Sequence, residues 1–242
     1  MEFEMKDLSP ARSILGIEVT RERSQCILTL SKQAYINKIV KKFNLEEAKV
    51  VLTPIGANFK LPLLSKNEDE NKLKTIIYLK VVRSVMYAMV NTRPDIAYTI
   101  ALVSRFMSNT SRDHWNATKW LIKCLKGAAK LNLKYSNQSL GSFIKGFFDS
   151  NYAANLDKRR SISGYVSTIE DNTISWKSTP QQVVALSTTE VEYMVITEVV
   201  KQDGDVEIKK ISFEDNPADM LTEVVLVGKF KDILNLLNMA HE

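Results

Sequence analysis

The spacing of apolar residues changes along the chain, and each change predicts a different element. Ile14, Leu15, Ile17 and Val19 precede the charged turn Arg21-Glu22-Arg23-Ser24, and Ile27, Leu28 and Leu30 follow it, which predicts a β-hairpin. Ser31 then stands as the N-cap of a helix reaching Phe43. Tyr35, Ile39 and Phe43 recur there at four-residue steps, with Lys38, Lys41 and Lys42 on the other face. The pattern fails from Thr53 to Thr75, where Pro54, Gly56, Pro62 and the run Lys66-Asn67-Glu68-Asp69-Glu70 predict a loop or linker. Tyr78 to Val90 is apolar enough for a buried helix. Thr92-Arg93-Pro94-Asp95 opens another, because the fixed φ of proline suits the first helical position, and Ile96, Ile100, Val103 and Met107 form its stripe. Ser111 starts the next, with Trp115, Thr118, Ile122 and Leu125 along one side and Gly127 as its stop, and helical character is expected to about residue 135.

Beyond that point the period becomes two. Ile144 to Phe148, Ser163 to Thr168 and Thr173 to Lys177 predict three strands joined by short polar links, hence an antiparallel meander. Ser187-Thr188-Thr189-Glu190 has capping-box spacing and opens a helix to about Lys201. Val206 to Ile211 alternates like one more strand. Asn216-Pro217 restarts a helix, and Phe230 to Met239 is amphipathic. The expected organisation is a segment 1–65, a mainly helical segment 66–137, and an α/β unit over 138–242.

Composition narrows the functional classes. With 242 residues, 45% hydrophobic and 25% charged, the chain can bury a core and is not wholly disordered. Cys26 and Cys124 make no C-x-x-C pair and no disulfide framework, and His114 and His241 are the only histidines, so zinc sites built on several His or Cys are excluded. No apolar run approaches the roughly 20 residues of a membrane helix. The N-terminus lacks a signal-peptide shape. These features predict an intracellular protein, cytoplasmic or nuclear or both. The net charge of +5 leans toward polyanionic partners.

The candidate chemistry is acidic. A strand ending in Asp149, a meander, and a helix carrying Glu192 near its start can bring two distant carboxylates together, and Asp219 opens the helix after the last alternating segment. Clustered carboxylates suit hard Mg²⁺, and two such ions can activate water and stabilise a leaving phosphate oxygen. Spacing alone also allows a plain reading of each acid, as a polar strand end or as a first-turn helix acid that suits the dipole.

Longer strings add to this. Gly146-Phe147-Phe148-Asp149-Ser150-Asn151-Tyr152-Ala153, Asp157-Lys158-Arg159-Arg160-Ser161, Gly164-Tyr165, Val184-Ala185-Leu186-Ser187-Thr188-Thr189-Glu190-Val191-Glu192-Tyr193 and Asn216-Pro217-Ala218-Asp219-Met220-Leu221-Thr222 resemble the ribonuclease H domain of copia-type retrotransposon polyproteins. Leu15-Gly16-Ile17-Glu18, Ser84-Val85-Met86-Tyr87-Ala88, Thr92-Arg93-Pro94-Asp95-Ile96-Ala97 and His114-Trp115 resemble the stretch that joins reverse transcriptase to ribonuclease H. The resemblance covers nearly the whole chain in family order.

It implies an α/β (α+β) fold: a ribonuclease H-like mixed sheet preceded by a helical thumb-and-connection remnant of reverse transcriptase. It also implies an ancestral reaction, the Mg²⁺-dependent cleavage of RNA in RNA–DNA hybrids, with Asp149, Glu192 and Asp219 as metal ligands. Two departures stand out. The chain has no Asp-Asp pair for polymerase chemistry. The family's third nuclease aspartate, expected after Glu192, is missing: Val200-Lys201-Gln202 runs straight into Asp203-Gly204-Asp205, so a strand and its following helices are deleted near 202/203. Glu223 stands where the family usually has a lysine. The expectation is therefore an impaired or lost nuclease, with a non-catalytic nucleic-acid binder or a degraded reading frame as the alternatives.

Basic residues are the candidate nucleic-acid contacts. Residues 111–134 hold six Lys/Arg against one acid, and Lys119, Lys123 and Lys126 fall on one helical face. Lys158, Arg159 and Arg160 follow the Asp149 strand closely and are better placed for a hybrid backbone. Either set could instead be an ordinary solvated face. His114 reads as structural and Cys124 as a small buried hydrophobe.

Overall fold

A computed structural model describes residues 10–59, 61, 72–137, 144–155, 158–200 and 207–241. The predicted hairpin forms as β2 (Ile17–Glu22) and β3 (Ile27–Ser31), with a short strand β1 (Ser13–Ile14) turned back on β2. Gly16, at φ +70°, makes that reversal possible. Helix α1 (Gln33–Lys42) follows, its first amide donating to the Ser31 hydroxyl at 3.2 Å. Helix α2 (Lys72–Met89) starts inside the region read as a linker and ends on the side chain of Lys32, which is buried and donates to the carbonyls of Tyr87 and Val90. Pro94–Ile96 make one 3₁₀ turn that runs into α3 (Ala97–Ser104). Helix α4 (Arg112–Gly127) is capped as expected at Ser111 and stops at Gly127. The cap is reciprocal: the Ser111 hydroxyl accepts from the His114 amide, and His114 Nδ1 accepts from the Ser111 amide at 2.9 Å. His114 is fully buried and stacked on Phe106, the structural role expected of it. Cys124 is buried as well, and burial pushes its thiol up to about 12.

The meander forms as β5 (Ile144–Asn155), β6 (Arg160–Ile169) and β7 (Asn172–Pro180), in sheet order β5-β6-β7. Helix α5 (Thr188–Val200) packs on β5 and β6 through Val191 and Val195. The Ser187 hydroxyl accepts from the Glu190 amide at 3.1 Å. Glu190 reaches back one residue further than a capping box requires, to the Leu186 amide at 2.7 Å. Asn216 caps a 3₁₀ turn, Pro217–Leu221, which lies on β5 and β6 and precedes α6 (Val227–Leu236).

Four expectations are corrected. Residues 131–136 are a strand, β4 (Leu131–Ser136), not helix: Leu131 and Leu133 are buried while Asn132 and Lys134 alternate with them, and β3 offers an open edge to pair with. The amphipathic run ending at Met239 stops its helix at Leu236 and closes as β8 (Met239–His241) on the far edge of β4. The helix expected after Asn216-Pro217 is only a 3₁₀ turn, because its residues are fixed by contacts to the sheet. Residues 207–211 of the expected Val206–Ile211 strand are exposed and belong to no sheet, and Val206 lies outside the described residues. Alternation alone does not make a strand: these residues pair with no strand, although β5 stands at a sheet edge among the described residues.

The result is a mixed α/β protein in which a five-stranded sheet, β1-β2-β3-β4-β8, and the three-stranded sheet are both antiparallel. The larger sheet takes strands from all three sequence segments. One apolar cluster joins α1, α2 and α4 through Ile36, Ile39, Val85, Leu121 and Leu125. A second joins the two sheets and α6 through Leu133, Val166, Leu221, Phe230, Ile233 and Met239. Each such fully buried side chain contributes roughly 1.5–3 kcal/mol. This second cluster sets the floor on which the acidic residues stand. Among the described residues, no helix is long and apolar enough to cross a membrane.

Candidate functional site

Asp149 lies in mid-β5, opposite Gly164 of β6. The 3₁₀ turn carrying Asp219 is fastened over this point by several side chains. Asn216 accepts from the Ala218 amide and donates to the Phe148 carbonyl, both at 3.1 Å, so the capping residue also ties the turn to the residue next to Asp149. Ser178 donates to the Leu221 carbonyl at 2.6 Å, and Asn151 donates to the Thr222 carbonyl at 3.4 Å. The buried Thr222 hydroxyl donates to the Asp149 carboxylate. Gly164 leaves the space that the turn occupies: a Cβ there would stand 2.7 Å from Leu221 Cβ and 2.9 Å from Thr222 Cγ2.

Asp149 and Asp219 are thereby brought close enough for the charge of one to act on the other, whereas sequence spacing paired Asp149 with Glu192. Asp219 is 1% exposed, and its Oδ2 accepts a hydrogen bond from the Lys229 ammonium in the first turn of α6. Phe213 lays its ring against the same ammonium. Burial pushes the Asp219 carboxyl above its ordinary range. The hydrogen bond and charge of Lys229 oppose that shift, and the charge of Asp149 adds to it. Glu223 is also raised, first by burial and then by the charges of Asp149 and Asp219. Both acids therefore bind protons more tightly in the native state than in the unfolded chain. Their contribution to stability falls as pH rises from the ordinary carboxylate range through the raised values.

Glu192 is placed differently. It is exposed on α5, next to the buried Val191, and the charges acting on Asp219 and Glu223 are those of their near neighbours, Glu192 not among them. Mg²⁺ demands near-octahedral oxygen coordination. Here Asp219 Oδ1 is the one carboxylate oxygen of the pair left buried without a partner, while Oδ2 is held by Lys229 and Asp149 by Thr222. Among the described residues, no group of three or more His, Cys, Asp or Glu is arranged to hold a metal ion. As arranged, these residues do not fit a bound Mg²⁺.

The basic residues also divide. Lys126 donates to the carbonyls of Glu46 and Ala48, the second at 2.9 Å, so it fastens a loop to α4. Lys119 lies over the Trp115 ring, and Lys123 is half-buried on the same helix. Lys158 and Arg159 are exposed in the turn between β5 and β6, where the Lys158 amide donates to the Asn155 side chain at 3.3 Å, and Arg160 is half-buried at the start of β6. Sequence reasoning missed Lys229 and Thr222 as partners of the acids. Thr222 sits inside a recognised string, but nothing local marks Lys229, whose position depends on how α6 leaves the 3₁₀ turn.

A family profile for reverse transcriptase (RNA-dependent DNA polymerase) matches residues 1–57. The retrovirus-related Pol polyprotein from transposon TNT 1-94 of Nicotiana tabacum is 34% identical over 98% of this chain, which spans 22% of that protein's length. The Pol polyprotein from transposon RE1 of Arabidopsis thaliana is 31% identical over 79% of the chain and 13% of its own length. Secreted RxLR effector protein 161 of Plasmopara viticola is 35% identical over 54% of the chain and 91% of its own length. No solved structure matches. The chain belongs to the copia-type retrotransposon Pol family. The tobacco match extends over 298 positions, more than the 242 residues of the chain, so the relative carries positions that this chain lacks.

Proposed function

We propose that this chain is a Pol-derived, ribonuclease H-like module that has lost cleavage of RNA in RNA–DNA hybrids and retains nucleic-acid binding in the cytoplasm or nucleus. The observation that carries this reading is the Lys229 ammonium on the Asp219 carboxylate. It places a protein cation against the acid that the family resemblance assigns to a metal. Glu192 stays on the solvent side of α5, and the third family aspartate is missing from the sequence. Lys158 and Arg159 share a hairpin with Asp149 and would contact the phosphate backbone, with Arg160, Lys119 and Lys123 adding charge. Binding of this kind weakens as salt displaces it.

The test is incubation of the purified chain with an end-labelled RNA–DNA hybrid and Mg²⁺, with hybrid binding measured across a salt series. The expected outcome is no strand cleavage, together with affinity that falls as salt rises and falls further in Lys158→Ala/Arg159→Ala. Cleavage that Asp149→Asn abolishes would overturn the loss of the nuclease. Affinity flat in salt would overturn the binding role.

A further inference from the structure

The core-facing side of the five-stranded sheet does not end at the core. Leu133, in the apolar cluster between the sheets, lies opposite Leu30, and Leu30 lies opposite Val19, so the three side chains share one face. Val19 and Leu30 are only half-buried, and with Tyr135 of β4 and Ile174 and Trp176 of β7 they line a cleft between the two sheets. The cleft measures about 290 Å³. That lies just below the range of small-ligand sites, about 300–1,000 Å³, and suits one large side chain better than a whole small molecule.

The walls and the rim differ in character. Five of the eight lining residues are aliphatic and none is charged. One of them, Ile14, is 50% exposed, and the apolar surface continues outward onto Leu15, 77% exposed, whose carbonyl accepts from the Tyr87 hydroxyl at 2.5 Å. An apolar cleft that runs out into an exposed apolar rim marks a contact surface. Two arginines stand beside it. Arg21 is two residues beyond Val19 on β2 and shares its face. The Arg12 carbonyl accepts from the Val19 amide, which puts Arg12 next to Val19 at the sheet edge. Both arginines are exposed, and neither forms an ion pair among the described residues. The acids of β2, Glu18 and Glu22, lie opposite Ser31 and Ile27 on the other face of the sheet.

We propose that this cleft docks a segment of another protein that presents one large apolar side chain flanked by carboxylates. The side chain fills the cleft against Trp176 and Tyr135, as an anchor residue fills its pocket, and the carboxylates pair with Arg12 and Arg21. Charge and wall chemistry disfavour the other occupants. A second copy docked on this face by a two-fold axis would set the arginine pair against its own copy. A nucleic-acid strand would suit the arginines but binds through stacked rings, and most of this wall is aliphatic. The site shares no residue with the nucleic-acid contacts proposed above and does not rest on them.

Titration of the full chain into a short fluorescent peptide, with one tryptophan between glutamates, tests the proposal by anisotropy. Two control peptides replace the glutamates with lysines or the tryptophan with alanine. The parent peptide is expected to bind saturably below millimolar concentration, and each control about tenfold or more weakly. In NMR spectra the Ile14 and Ile174 methyl resonances should shift during the titration, and those of Ile36 and Ile39, in the helical core, should not. Arg12→Glu/Arg21→Glu, at exposed positions, should turn the preference toward the lysine peptide. Ile174→Gln should weaken the parent peptide while thermal unfolding stays near that of the wild type. No saturable binding at millimolar concentration, equal affinity for the three peptides, or affinity unchanged in Arg12→Glu/Arg21→Glu would overturn the proposal. So would a single-stranded oligonucleotide that shifts the Ile14 and Ile174 methyls when the peptide does not, or a dimer in sedimentation that Ile174→Gln dissolves.

Discussion

Arg93→Met is expected to destabilise the folded chain by about 3–5 kcal/mol, the range for breaking one half of a buried ion pair. Arg93 is fully buried, and its Nε and Nη2 donate to the two oxygens of Asp95 at 2.8 and 2.7 Å. Its Nη1 donates to the Ala128 carbonyl at 2.9 Å, just past the end of α4. One guanidinium thus joins the turn that opens α3 to the point where α4 gives way to β4. Methionine fills much of the volume but leaves the Asp95 carboxylate buried without its cation and the Ala128 carbonyl without its donor. The double variant Arg93→Met/Asp95→Leu removes both charges, and should recover most of the loss because the desolvation penalty goes with them. Urea denaturation of the two variants measures this. A single variant within 1 kcal/mol of wild type, or a double variant at least as unstable as the single one, contradicts the assignment.

Gly164→Ala should cost about 1–3 kcal/mol, the usual penalty for overpacking, and Gly164→Val should cost more. The reason is the 2.7 Å approach to Leu221 Cβ, a backbone-anchored atom that cannot swing aside as the end of a long side chain would. The turn itself must move. Because Leu221 and Thr222 close the turn that holds Asp219, this movement also lifts the Thr222 hydroxyl off Asp149. Two readouts separate strain from a merely local effect. Denaturation should show lower stability, and the NMR amide resonances of Asp219 and Thr222 should shift more than those of β7. Wild-type stability together with unmoved resonances would show that the close packing of turn on sheet is not what positions the acid.

Both predictions fall on strings that the sequence alone singled out, but neither role was legible there. Thr92-Arg93-Pro94-Asp95 reads as a helix start. That its arginine is swallowed whole follows only from α3 packing beside the α4–β4 junction. The meander and α5 were legible because period two and a capping sequence are local signals. Strand β4 was not, since its partner β3 lies far upstream and its Lys134 continues the basic character of α4. The alternation of residues 207–211 shows the converse: a period-two pattern that pairs with no neighbour does not become a strand. At the site, spacing joined Asp149 to Glu192, and Asp219 was legible beside them only through the family resemblance. The ammonium of Lys229 was not, because it reaches Asp219 through the geometry of a 3₁₀ turn and a following helix. The exposed placement of Glu192 was equally hidden, since spacing gives a helix face only once the register of α5 on β5 is known.

The acidic pair is held by the protein's own groups: the Lys229 ammonium pairs with Asp219, and the Thr222 hydroxyl donates to Asp149. The most direct measurement is an NMR pH titration of the Asp149 and Asp219 side-chain carboxyl carbons, with and without millimolar Mg²⁺. The expected Asp219 midpoint lies above the ordinary carboxylate range, is unmoved by Mg²⁺, and rises further in Lys229→Met as the opposing cation is removed. Carboxyl resonances of both aspartates that shift together and saturably with Mg²⁺, with a midpoint lowered by the ion, would contradict it.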